Sequence, residues 1–288
     1  MNGPDGVFDD LRDEGEALDA LVAELDEAGW AAPTPAPGWS VAHQIAHLAW
    51  TDRQALRAAT DPEGFRRETE QLRAGADPMS FVDEGADEGA RRAPAALLGE
   101  WRAARAQLRE ALCALPEGTR VPWFGLPMSA AGQATARIME MWAHGEDVAD
   151  ALGTVREPTA RLRHVVRIGV RARDFAYAVH GLTPPAGPFR VEVTGPEGQL
   201  WAHGPEDAPF GRVTGDAVEF CRLATRRVHR DDTRLRAEGE EAERWLGIAQ
   251  AFAGPPGPGR PRVRDTGAGG TGGGTDDGRG RAAEGGAA

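Results

Sequence analysis

Apolar residues return every three or four positions along most of the first 180 residues, and Pro, Gly or a capping side chain bounds each run. Val7 to Ala28 carries Phe8, Leu11, Leu18, Leu21, Val22 and Leu25 at helical spacing with acidic residues between them. That pattern predicts an amphipathic first helix ending near Gly29. Thr34 to Gly38 contains two prolines and breaks the pattern, and Ser40, a candidate N-cap, opens a second helix through about Ala59. Pro94 starts a third, marked by Leu97, Trp101, Ala104, Leu108, Leu112 and Leu115 and stopped at Pro116. Met128 to Gly153 reads as a fourth helix and Pro158 to Val179 as a fifth. Residues 61 to 93 show little rhythm beyond Phe65, Leu72, Met79 and Phe81, which predicts a long, partly structured connection of the kind that serves as a lid. Arg120 to Ser129 reads as a loop whose large apolar side chains plug a bundle end or wall a pocket.

After Pro184 and Pro185 the period changes from 3.6 to two. Residues 189 to 195 alternate apolar and polar, a turn follows, and Leu200 to His203 completes a hairpin signal. Val213 to Arg226 predicts a helix, Thr233 to Ala237 a short strand, and Glu240 to Ala253 a final helix. The expected fold class is therefore mainly α: an up-and-down four-helix bundle over residues 5–182, then a small α+β domain over 186–254. Residues 255–288 are rich in Gly, Pro, Asp and Arg with no apolar side chain larger than Val263, too little to offset the entropy of ordering, so a disordered tail is expected.

Charge and cysteine usage narrow the function classes. The 33 basic residues are all Arg, the 45 acidic ones leave a net charge of −12, and nucleic acid is a poor partner for such a surface. Two widely spaced cysteines, Cys113 and Cys221, make no disulfide framework and fall on apolar rhythms that place them in the core. An acidic N-terminus and the lack of a long apolar run predict a cytoplasmic protein without a membrane partner, a monomer or homodimer. Abundant Ala, Gly and Arg with no Lys is the composition of a GC-rich genome.

Candidate chemistry lies on two helices. Glu140, His144 and Asp147, at i, i+4 and i+7, share one face of the fourth helix, apart from a stripe of Ile138, Met141, Trp142, Gly145, Ala149 and Leu152. On the second helix His43, His47, Trp50 and Gln54 lie on one side, and Val41, Ile45, Leu48 and Asp52 on another. Two readings stand: a solvated i,i+4 pair, or a stripe facing the bundle interior that supplies ligands to a divalent metal. Arg222, Arg226, Arg227 and Arg230 form either a solvated face or an anion-binding group, Arg222 and Arg226 being the candidates for it. His164, His180, His203 and His229 read as surface histidines.

Residues 35 to 50, Pro-Ala-Pro-Gly-Trp-Ser-Val-Ala-His-Gln-Ile-Ala-His-Leu-Ala-Trp, and residues 140 to 148, Glu-Met-Trp-Ala-His-Gly-Glu-Asp-Val, resemble the DinB-like superfamily. The closer resemblance is to its actinobacterial branch with the mycothiol-dependent maleylpyruvate isomerases, and it spans residues 5 to 260. It implies a metal-carrying bundle followed by a smaller α+β domain. Carried over by position, it implies His47, Glu140 and His144 as the metal ligands, with Asp147 and His43 as possible supporting groups. It further implies a divalent metal, most readily zinc, and mycothiol as cosubstrate, hence a thiol-dependent isomerase or S-transferase acting on a small molecule. A hydrolase or a cyclase/lyase of specialised metabolism on the same scaffold, or a non-catalytic metal-binding protein, remain alternatives at this stage.

Overall fold

The computed structural model describes residues 6–73, 80–257 and 259–263. Four long helices build the bundle: α1 (Val7–Val22), α3 (Val41–Thr60), α6 (Pro94–Ala114) and α7 (Ala130–Leu152). Their apolar stripes meet in one core that includes Phe8, Leu11 and Leu18 of α1, Ile45 and Leu48 of α3, Trp101 and Leu108 of α6, and Ile138 and Met141 of α7. Ion pairs fix the pairing of α1 with α6, where Asp19 accepts from Arg102 and Arg105 at 2.6–2.7 Å. Pro94 occupies the first turn of α6, where no backbone donor is lost. Ser129 caps α7 by accepting from Gly132 N, and Gly153 ends it in the left-handed conformation.

Within the first 130 residues, three stretches differ from the sequence expectation. The first helix stops at Val22 because Asp26 caps a separate short helix, α2 (Glu27–Ala31), through Gly29 N at 2.8 Å. The connection over 61–93 holds two helices, α4 (Pro62–Arg73) and α5 (Ser80–Ala90), with residues 74–79 and Met79 of the expected pattern lying outside the described residues. Helix α4 exposes most of its surface, and α5 lies on α3 through glycines in place of an apolar stripe, so neither carried a clear period. The loop 120–129 is pinched by two short antiparallel strands, β1 (Arg120–Val121) and β2 (Met128–Ser129).

Beyond α7, helices α8 (Leu162–Arg171) and α9 (Arg173–Val179) replace the single expected helix. A four-stranded sheet follows, in the order β4 (Leu200–His203), β3 (Arg190–Thr194), β5 (Arg212–Asp216), β6 (Arg236–Glu238). Strands β3 and β4 form the expected antiparallel hairpin, with Val193 opposite Trp201, and β5 pairs parallel to β3. The run expected as one helix from Val213 is divided at Asp216. Its carboxylate caps α10 (Ala217–Ala224) by accepting from Val218 N and Glu219 N, which leaves 212–216 to the sheet. Helix α11 (Glu240–Ile248) completes the unit.

Helix α7 serves both cores. Ile138, Met141 and Val148 face the bundle, whereas Met139, Trp142 and Ala143 join Leu162, Val165, Phe220 and Trp245 in the second core. A helix apolar around most of its circumference is one buried on several sides. The expected disorder of the tail concerns residues of which 264–288 lie outside the described ones. Within 255–263, Arg260 is held by Pro35 O and Asp147, and Arg262 by Asp231. Among the described residues no helix is long and apolar enough to cross a membrane.

Candidate metal centre

The loop between α2 and α3 is closed on itself: Thr34 N donates to Trp39 O at 2.8 Å, and Pro33 and Ser40 pair as an antiparallel bridge. Gly38, at φ +79°, permits the turn. The closure places Trp39 beside the first turns of α3, its ring centroid 5.3 Å from that of His47 and 6.0 Å from that of His144. From α7, Glu140 and His144 stand one turn apart and face His47 across the helix pair.

His47 Nε2 lies 3.5 Å from Glu140 Oε2, and His144 Nε2 lies 3.2 Å from the same oxygen. One ligand atom from each of the three residues falls within 4.8 Å of the others. Only 10–16% of each side chain is exposed, so the group is sheltered but reachable. Zinc with nitrogen and oxygen donors at about 2.0–2.2 Å in a tetrahedron sets its ligand atoms roughly 3.3–3.6 Å apart. The donor set fits a divalent ion, with one separation inside that range and the other just below it.

Electrostatics favour the ligating forms. Burial pushes the Glu140 carboxyl up, but its close contacts with His144 and His47 and the charge of Arg137 outweigh it and hold the group well below the usual carboxylate range. Burial and the neighbouring His47 depress His144 to about 4, so the imidazole is neutral near pH 7 with a lone pair to offer. Arg137, itself buried, sets Nη2 3.9 Å from Glu140 Oε1 and its guanidinium carbon 5.0 Å from the centroid of the Trp123 ring. One turn earlier on the same face of α7 lies Gln133, also buried.

The remaining sequence candidates have other partners. His43 Nδ1 accepts from Ser40 N at 3.2 Å, and its Nε2 lies 3.4 Å from Asp87, so it secures the start of α3. Asp147 is buried and accepts from Arg227 at 2.8 Å and from Arg260, so both its carboxylate oxygens bond arginines of the C-terminal segments. Arg222 donates twice to Glu146 Oε2, at 2.6 and 2.9 Å, and Arg226 donates to Gly257 O at 3.3 Å. The two arginines that were candidates for an anion-binding group are thus engaged with the protein itself. Cys221 is fully buried, and burial raises its thiol well above the ordinary value, opposite to the effect an adjacent arginine would have. His164, expected at the surface, is buried against Asp10 at 2.6 Å.

Sequence reasoning passed over Gln44. It lies one turn before His47, is fully buried, and places its Oε1 against His144 Nδ1 while its Nε2 donates to Thr34 Oγ1 at 2.9 Å. An amide one turn from a candidate ligand on the same helix was the available signal.

The model of the mycothiol maleylpyruvate isomerase N-terminal domain matches residues 11–149. An uncharacterized protein of Mycobacterium tuberculosis, found in two strains, is 55% identical over 260 residues, covering 90% of this chain and all of the relative. Two crystal structures of the mycothiol-dependent maleylpyruvate isomerase, one of them a mutant, share the fold at 17% identity. Their TM-scores are 0.54 and, for the mutant, 0.53, with 81% and 77% of this chain covered and 91% and 88% of theirs.

Proposed function

The chain belongs to the mycothiol maleylpyruvate isomerase family of DinB-like proteins, and from that membership we propose that it is a divalent-metal enzyme working with a low-molecular-weight thiol, an isomerase or S-transferase. The observation that carries the metal half of this reading is the convergence of His47, Glu140 and His144 from two helices onto one point. The thiol half rests on the relatives, whose solved representative is mycothiol-dependent.

A bound zinc or similar ion supplies a Lewis acid that lowers the pKa of a coordinated thiol, so that the nucleophile is present near neutral pH. The protein's own groups prepare that chemistry. Glu140 contributes a full negative charge and His144 an uncharged imidazole, which keeps protons from competing for the ligand positions. Trp39 covers one side of the imidazole pair and limits water on that side. Because each of the three side chains keeps 10–16% of its surface exposed, a small-molecule electrophile and thiol are the partners the site suits.

The test is turnover of mycothiol with a generic electrophile such as monochlorobimane by the zinc-loaded protein. Conjugate formation that requires both metal and thiol, and disappears in His47→Ala, is the expected result. Absence of thiol-dependent turnover with zinc, nickel, iron and manganese would contradict the thiol half and favour direct hydrolytic or lyase chemistry at the metal.

A further inference from the structure

A histidine binds a metal through one nitrogen only if the proton of the neutral ring sits on the other. His144 turns Nε2 toward Glu140 and the point where the ligand atoms converge, so its proton must reside on Nδ1 for it to ligate. In isolation the ring has no reason to choose that tautomer, and Glu140 Oε2, 3.2 Å from Nε2, would attract the proton to the wrong nitrogen.

Three hydrogen bonds decide the matter from outside the site. Thr34 has one hydroxyl proton, and Oγ1 lies 2.8 Å from Trp39 O, a carbonyl that can only accept. Its proton is therefore spent on Trp39, and Oγ1 must accept from Gln44 at 2.9 Å. The amide nitrogen of Gln44 is the atom that can donate there, so Oε1 is the atom left facing His144 Nδ1. A carbonyl oxygen accepts, hence Nδ1 must carry the proton. The reversed chain would leave Thr34 Oγ1 and Trp39 O as two acceptors 2.8 Å apart with no proton between them.

We propose that Gln44, oriented by Thr34, is a positioning residue that fixes His144 in its Nδ1-protonated tautomer and thereby presents Nε2 to the metal. This rests on the metal-centre reading above. Gln44 is buried, and the loop supplying its anchor is closed by Thr34 N to Trp39 O at 2.8 Å, so the relay is held rigidly at its outer end. The same loop carries Trp39, so closing it both shields the imidazoles and sets the tautomer.

Zinc affinity measured by competition with a chelator, on full-length protein checked for folding by circular dichroism, tests the relay. Gln44→Leu keeps the bulk and removes the acceptor, and is expected to bind zinc about 10–100-fold more weakly. Gln44→Glu restores an acceptor and is expected within a few-fold of the wild type or tighter. Thr34→Val, which cannot upset the helix, is expected to fall between them, and it carries the test if Gln44→Leu does not fold. Nitrogen-15 shifts of His144 in the wild type should show Nδ1 protonated. Wild-type affinity in both Gln44→Leu and Thr34→Val, or equal weakening in Gln44→Leu and Gln44→Glu, overturns the relay. Wild-type protein that takes up no metal overturns the metal reading itself, a distinct result.

Discussion

Burial drives two titratable groups of the bundle interior in opposite directions. Asp52 is raised to about 6, burial outweighing the attraction of Arg137, while His144 is lowered to about 4. In both, the low-dielectric interior disfavours the charged form. For His144 the folded value lies below the ordinary 6.5. Its contribution to stability is therefore complete above pH 6.5 and is lost as pH falls toward 4. Metal-free protein should lose urea resistance over that interval, and His144→Gln should flatten the decline. An unchanged slope in the variant would show that the imidazole is not held neutral by its surroundings. The spacing of Glu140 and His144 was legible in the sequence, as was the two-faced character of the helix bearing His47. Gln44 was not, because a neutral amide carries no charge or metal preference that marks it, and its role depends on a loop residue ten positions away.

At the level of helices, periodicity located α1, α3, α6 and α7 and failed for α4 and α5. The failure has a packing cause. A Cβ at Gly89 would lie 2.7 Å from the Ala46 methyl, and one at Gly85 would lie 2.7–2.9 Å from the indole of Trp50. Helix α5 thus buries backbone against α3 where most helices bury side chains, and Phe81 adds an apolar contact, tilted against Trp50 and stacked on Phe124. Intrinsic propensity would make Gly89→Ala stabilising by about 1 kcal/mol. Overpacking against a methyl group that cannot rotate away should win, with a net loss of about 1–3 kcal/mol in chemical denaturation. A variant as stable as the wild type or more so would mean that α5 is free to move off α3. Gly145 follows the same logic on α7, where Arg156 crosses close over the helix to reach Trp142 O at 3.1 Å and Glu14 at 2.6 Å.

Over the whole chain, the mainly helical class with a small C-terminal sheet was readable from the change of period near residue 185. What local patterns did not show was how the parts close on one another. The parallel pairing of β3 with β5 joins strands separated by a third, and only the capping role of Asp216 divides strand from helix in that run. Asp147 shares a face with the site residues by sequence, yet Arg227 and Arg260 claim it, and Arg260 also reaches Pro35 O in the loop that carries Trp39. The second half of the chain is thereby fastened to the walls of the centre through Arg227 and Arg260. The bundle's own part is to bring α3 and α7 to the separation at which one imidazole of the first meets a carboxylate and an imidazole of the second. Metal content of protein purified without chelator, followed by zinc titration of the stripped form by calorimetry, measures that convergence directly. One ion per chain, abolished in His47→Ala and in Glu140→Gln while both variants stay folded, is the result predicted. No binding by the wild type, or equal binding in either variant, would contradict it.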